Sequence, residues 1–162
     1  MKNLFIFSVL LFSVWVLLNA SIDKSILIVG GFLSIILSLL FSKNRSIFSS
    51  IKISPKSFLY FFLYIFVLLI EVIKANFDVA RRVIMPTIPI NPGVVEVKTK
   101  LKSPVARLIL ANSITLTPGT LTVDIKDETL LVHWIDVKST DLEKTTKYIA
   151  ASFEKYLEVI YG

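Results

Sequence analysis

Two long stretches without a single charge, Asn3–Ile22 and Ser25–Ser42, constrain this chain more than any other feature. A helix crossing a bilayer needs about 20 apolar residues, with a lower limit near 17. Both stretches lie close to that limit, so they can either span or form a shallow hairpin. The connection Asn19-Ala20-Ser21-Ile22-Asp23-Lys24 is short and predicts that the two helices lie antiparallel. Lys2, the apolar run and Leu18-Asn19-Ala20 also have the shape of a secretory signal peptide. Leu18 stands where cleavage wants a small residue, and a second apolar segment follows at once.

Composition agrees with a membrane. The 162 residues are 54% apolar with a mean hydropathy of +0.74, against about 45–50% apolar for soluble domains. The excess is concentrated before Asn76, and most charges come after it. A net charge of +6 raises the question of nucleic acid. The basic residues instead flank apolar stretches, where they orient helices and meet anionic head groups. Membrane lipid is therefore the expected partner, and nucleic acid is not. With no cysteine, disulfides, thiolate nucleophiles and cysteine metal sites are excluded.

A third apolar segment follows a basic stretch, Ser42–Ser57, that carries Lys43, Arg45, Lys52 and Lys56 and no acid. Pro55 suits the first turn of a helix. The helical pattern runs from Phe58 through Glu71 and Lys74 to Ile84, where Pro86 and Pro89 stop it. That is roughly 40 Å at 1.5 Å per residue, long enough to project into water at Arg81-Arg82. The expected membrane region is thus 1–84, with helices at about 4–20, 25–42 and 58–84.

Residues 85–162 read as a small two-layer α+β domain in the order strand, helix, strand, strand, helix. In Val94–Leu101, Val95, Val97, Thr99 and Leu101 share one strand face. Pro104–Ile114 is helical. Leu121, Val123 and Ile125 mark a second strand, and Leu130–Val137 a third, paired as a hairpin around Lys126-Asp127-Glu128. Asn91-Pro92-Gly93 and Thr117-Pro118-Gly119-Thr120 are turns. Thr140 and Glu143 form a capping box before a last helix striped by Leu142, Ile149, Phe153, Leu157 and Ile160.

Positive charge gives conflicting orientations. Arg81-Arg82 and the basic start of the tail (Lys98, Lys100, Lys102, Arg107) place the C-terminal domain in the cytoplasm. The Ser42–Ser57 stretch claims the same side, and a spanning third helix forbids both. The double arginine directly at a helix end carries more weight, which puts the 42–57 loop outside and the domain inside.

Residues for catalysis are scarce. His133 is the single histidine, so no Cys–His dyad or histidine-rich metal site is available. No G-x-S-x-G elbow, P-loop or G-x-G-x-x-G spacing occurs. His133 on its strand reads as a half-buried structural residue. No cofactor and no enzyme activity are expected. Glu71, Lys74 and Asp78 fall at i, i+3 and i+7 on one face of the third helix. A carboxylate within a membrane segment suggests an ion route or a polar partner. The plainer alternative is a Glu71–Lys74 pair that snorkels to the interface.

The middle and tail also resemble a known family. The run Arg82-Val83-Ile84, Pro86, Pro89-Ile90 and Pro92-Gly93-Val94-Val95 carries the resemblance, together with Leu101-Lys102-Ser103 and Ala106-Arg107. So do Leu110-Ala111-Asn112-Ser113-Ile114-Thr115-Leu116-Thr117-Pro118-Gly119-Thr120 and Val132-His133-Trp134-Ile135-Asp136-Val137. These segments resemble the E subunit of the bacterial Mrp (Mnh) type multisubunit sodium/proton antiporter. The resemblance implies a small non-catalytic subunit in a bacterial plasma membrane, with other antiporter subunits as partners and larger subunits carrying the transport. It carries over no catalytic residue. A self-standing membrane-anchored binding or sensory domain is the alternative, although the tail shows no convergent polar cluster to build a pocket. An enzyme acting on lipid is a weaker third reading.

Overall fold

The computed structural model describes residues 2–41 and 54–161. The protein is mostly helical, with one small three-stranded antiparallel sheet. It divides into two compact units, Met1–Ser50 and Ile51–Gly162. The third apolar helix therefore groups with the α+β elements and not with the first two helices. The expected end of the second helix at Ser42 and most of the basic 42–57 stretch lie outside the described residues.

In the first unit, α1 (Lys2–Asn19) and α2 (Lys24–Leu40) form the expected antiparallel hairpin. Ala20, with φ 48°, makes the turn after α1. Gly30, Ser34 and Ser38 recur every four residues and are the buried residues of α2, so small side chains bring the two backbones close. The Trp15 indole lies against Gly30, and its Nε1 donates to the Ile26 carbonyl at 3.0 Å. Ser38 Oγ donates to the Leu4 carbonyl at 3.1 Å. The outward faces are apolar and exposed.

The second unit opens with α3 (Pro55–Ile84). Ser54 caps it by accepting from the Ser57 amide at 3.0 Å, and Pro55 occupies the first turn as expected. Among the described residues α3 alone is long and apolar enough to cross a membrane by length and composition. The apolar runs of α1 and α2 are shorter, so the expectation of three membrane helices is met in length and composition by one of them among the described residues.

The sheet comprises β1 (Gly93–Lys98), β2 (Thr120–Lys126) and β3 (Thr129–Trp134) in the order β1-β3-β2. Its register aligns Val95, Val132 and Thr122 in one row and Val97, Leu130 and Ile125 in another. Those rows face α4 (Pro104–Leu116) and α5 (Leu142–Ile149). A last helix, α6 (Ala151–Tyr161), packs on both. Val97, Leu101, Leu110, Ile114, Leu130, Val132 and Leu157 are all but sealed from solvent. Each such side chain contributes about 1.5–3 kcal/mol of burial. The sheet against its helices is the expected arrangement, and Val95, Val97, Thr99 and Leu101 are all buried as their alternation predicts.

Three details differ from expectation. The last helix is two, broken at the fully buried Ala150. Its cap is Asp141, whose Oδ1 accepts from the Lys144 amide at 2.9 Å, and not a Thr140–Glu143 box. The Asp141 carboxylate is a charged acceptor placed one residue closer to the first turn. Finally, Gly93 is no turn residue. It opens β1 opposite Trp134, where an added Cβ would meet Val137 Cγ2 at 3.0 Å.

Candidate functional site

Helical spacing explains how α3 meets the rest of its unit. Ser57, Tyr60, Tyr64, Leu68, Glu71, Ala75 and Arg82 recur at three- and four-residue steps, with one double step, and so share a face. Ser57 Oγ donates to the Val159 carbonyl at 3.4 Å. The rings of Tyr60 and Tyr156 lie 6.0 Å apart. The Tyr64 hydroxyl is buried against Ser113 Oγ, and Ser113 Oγ in turn donates to the Ile109 carbonyl at 2.7 Å. The α+β elements thus run along α3 from its first turn to its last.

Toward the C-terminal half of α3 the packing opens into a groove of about 260 Å³. One wall is Glu71, Lys74, Ala75, Asp78 and Arg82; the other includes Thr117–Thr120, Asp136, Lys138 and Tyr148. All three predicted site residues line it. Glu71 and Lys74 pair with each other at 3.0 Å, with side chains 31% and 64% exposed. At that exposure solvent leaves the pair worth about 0–1 kcal/mol. Asp78 does not join them. Its Oδ2 accepts from Arg82 Nε at 2.7 Å.

Arg82 is the organising residue that the sequence reading missed. Its Nη2 donates to Asp136 Oδ2 at 2.9 Å and its Nη1 to the Pro89 carbonyl at 2.5 Å. One planar guanidinium therefore holds two carboxylates and a backbone oxygen, a task suited to its fixed fork of donors. Its side chain is only 13% exposed. The i, i+4 spacing of Asp78 and Arg82 is a local signal; Asp136 has none, being 54 residues away. The tail alone offered no polar cluster to the sequence reading; the cluster arises because α3 supplies half of it.

The Thr-Pro-Gly-Thr turn forms the floor opposite. Gly119 adopts φ +93°, as its place after Pro118 predicts, and its carbonyl accepts from the Ile135 amide at 2.8 Å. Thr120 Oγ1 donates to the Ile114 carbonyl at 2.6 Å and Thr117 Oγ1 to that of Ser113 at 2.9 Å. The Thr120 hydroxyl thus fastens the end of α4 to the start of β2, and the Thr117 hydroxyl closes the last turn of α4. His133 lies half-buried on β3 between Val94 and Leu121, away from the groove. Among the described residues no group of three or more His, Cys, Asp or Glu side chains could hold a metal ion.

Comparison with known proteins places this architecture. Residues 8–160 match the family described as MNHE, Na+/H+ ion antiporter subunit. The chain belongs to that family. A family relative, the E subunit of the Na(+)/H(+) antiporter of Alkalihalophilus pseudofirmus, is 34% identical over 87 residues. The alignment spans about half of each protein, 52% of this chain and 54% of the relative. A chain of the membrane-bound sulfane sulfur reductase, an archaeal respiratory membrane complex, is 42% identical and superposes with a TM-score of 0.85. That match covers 99% of this chain and 100% of the other. A chain of the Mrp complex from Dietzia sp. DQ12-45-1b is 26% identical over 66% of this chain and 98% of that one. Its TM-score of 0.43 is too low to argue a common fold from.

Proposed function

We propose that the chain is a non-catalytic subunit of a multisubunit membrane complex that exchanges Na+ for H+. It would support the assembly and coupling of larger transporting subunits. The observation that carries this reading is the family match over residues 8–160, nearly the whole chain. The physical layout supports it. The apolar outer faces of α1, α2 and α3 need lipid or protein cover. A few helices and one small sheet can hardly enclose an ion path alone. Its partners are then the other subunits of the complex and the surrounding lipid. The host membrane is the plasma membrane of a prokaryote, with the α+β unit on the cytoplasmic side. The groove at Glu71, Lys74 and Asp78 is its candidate polar contact, for a partner subunit or an ion route.

The test is deletion of the chain in its host. Sodium sensitivity at alkaline pH and loss of the intact complex are expected. Unchanged sodium tolerance with an intact complex would count decisively against the proposal. Purification in mild detergent separates it from a self-standing sensory domain, which would emerge as a monomer or homodimer.

The 42% identity to a chain of an archaeal respiratory complex favours a second reading, in which the chain belongs to an antiporter-like part of a larger redox assembly. Redox-active subunits co-purifying with this chain would decide for it.

A further inference from the structure

The orientation conflict in the sequence arises only if α3 crosses the membrane. Its length and apolar composition suggest that it does, but its packing says otherwise. Ser57, in the first turn, bonds to Val159 of α6, and Arg82, in the last, bonds to Asp136 after β3. Those two points are 25 residues apart, about 37 Å along a helix, against a hydrocarbon core of about 30 Å. A crossing α3 would pull the α+β elements through the bilayer with it. Lys155 and Glu158 stand exposed on α6, beside Tyr156 and Val159, which pack on Tyr60 and Ser57 in the first two turns of α3. Charged side chains drawn toward hydrocarbon are costly. The sheet also ends in two open edges, β1 and β2, and open edges are not tolerated in hydrocarbon.

The face of α3 turned away from the α+β elements has its own pattern. Phe58, Phe62, Phe66, Leu69, Ile73 and Phe77 recur at three- and four-residue steps, and every one is more than half exposed. Along one flank of that stripe lie Lys56, Lys74 and Arg81, separated by 18 and 7 residues, or about five and two turns. Apolar residues cover α3 all round because two different surroundings cover it, folded protein on one side and a second medium on the other. A border of cations along an aromatic stripe matches an anionic lipid surface, with lysine stems lying on the acyl boundary and their charges among head groups.

We propose that α3 does not cross the bilayer but lies in the plane of its cytoplasmic surface, its aromatic stripe among acyl chains and its inner face roofed by the α+β elements. The charge conflict then disappears. Lys43, Arg45 and Lys52 before α3, Lys56 in its first turn, and Arg81, Arg82, Lys98, Lys100, Lys102 and Arg107 at and after its end, then belong to one side, as the positive-inside rule requires. This rests on the membrane placement proposed above and not on the antiport assignment.

The chain has no cysteine, so single replacements report without background from it. Phe58→Cys, Phe62→Cys, Phe66→Cys, Leu69→Cys, Ile73→Cys and Phe77→Cys are spin-labelled one at a time. Each is measured in the whole complex, its partner subunits freed of reactive cysteine, in phosphatidylglycerol/phosphatidylethanolamine vesicles. Collision with oxygen and with a water-soluble nickel chelate gives depth. The expected result is one shallow depth at all six sites. A depth that peaks in mid-helix overturns the proposal and restores a span. Shelter from both reagents overturns it in favour of a covering protein partner. Free access of the chelate at every site overturns it together with the membrane placement. Independently, Ser49→Cys and Ala151→Cys should both need permeabilised cells for labelling by an impermeant maleimide; labelling of one alone in intact cells would place them on opposite sides and sink the idea.

Discussion

Arg82 and Asp136, 54 residues apart in sequence, meet at 2.9 Å through Nη2 and Oδ2. The same guanidinium holds Asp78 and the Pro89 carbonyl. It ties the last turn of α3, the proline-rich segment after it and the exit of β3 into one corner.

Arg82→Lys should therefore be far from conservative. An ammonium keeps the charge but cannot aim at three acceptors in one plane. A loss toward the lower end of about 1.5–3 kcal/mol, the range for hydrogen bonds to charged groups, is expected because Asp78 and Asp136 are partly solvated. Thermal melting of Arg82→Lys, Asp136→Asn and the double variant checks it. Additive effects would show that the two side chains do not work as a pair.

The buried Tyr64–Ser113 contact predicts an asymmetry. Ser113 Oγ donates to the Ile109 carbonyl, so in their mutual contact the Tyr64 hydroxyl is the donor. Tyr64→Phe leaves Ser113 still bonded and should lose about 0.5–1.5 kcal/mol. Ser113→Ala strands the tyrosine hydroxyl in the core and should lose more, about 1–3 kcal/mol. Denaturation of both variants tests the order, and a reversal would mean that Tyr64 finds another acceptor.

Much of the α+β unit was legible because its signals are local. Alternation in Val95, Val97, Thr99 and Leu101 shows which face is buried. Pro55 and the Pro118-Gly119 pair act through their own dihedral limits, and the stripe Ile149, Phe153, Leu157 and Ile160 survives the break at Ala150. The packing face of α3 was not legible, since Phe, Leu and Ile on every side leave no single apolar stripe to follow. Only its polar handles (Ser57, Tyr60 and Tyr64, at helical spacing) mark the inner side. Of the site, Glu71, Lys74 and Asp78 were found from their common face. Arg82 and Asp136 were not, because a contact made by two chain segments 54 residues apart leaves no trace in either.

Glu71→Gln separates a surface ion pair from a working carboxylate. With Glu71 and Lys74 both partly solvated, stability should change by about 1 kcal/mol or less. The proposed subunit role predicts that Na+/H+ exchange in membrane vesicles, or recovery of the complex, nevertheless falls. Wild-type values for both would reduce Glu71–Lys74 to an ordinary surface pair.

The hairpin offers the sharpest contrast, because two adjacent glycines have opposite surroundings. A Cβ at Gly30 would collide with the Trp15 indole, with Nε1 at 2.6 Å. A Cβ at Gly31 meets nothing within 4 Å. The missing side chain at Gly30 makes room for the Trp15 indole, and Trp15 cannot retreat without giving up its bond to the Ile26 carbonyl. Gly30→Ala should therefore open the hairpin and lower the amount of chain recovered from membranes. Gly31→Ala should be neutral or mildly favourable, since alanine is preferred to glycine in a helix by up to about 1 kcal/mol. Quantifying the chain in membrane fractions of both variants distinguishes them. Equal recovery of the two would show that α1 and α2 do not depend on the Trp15–Gly30 contact.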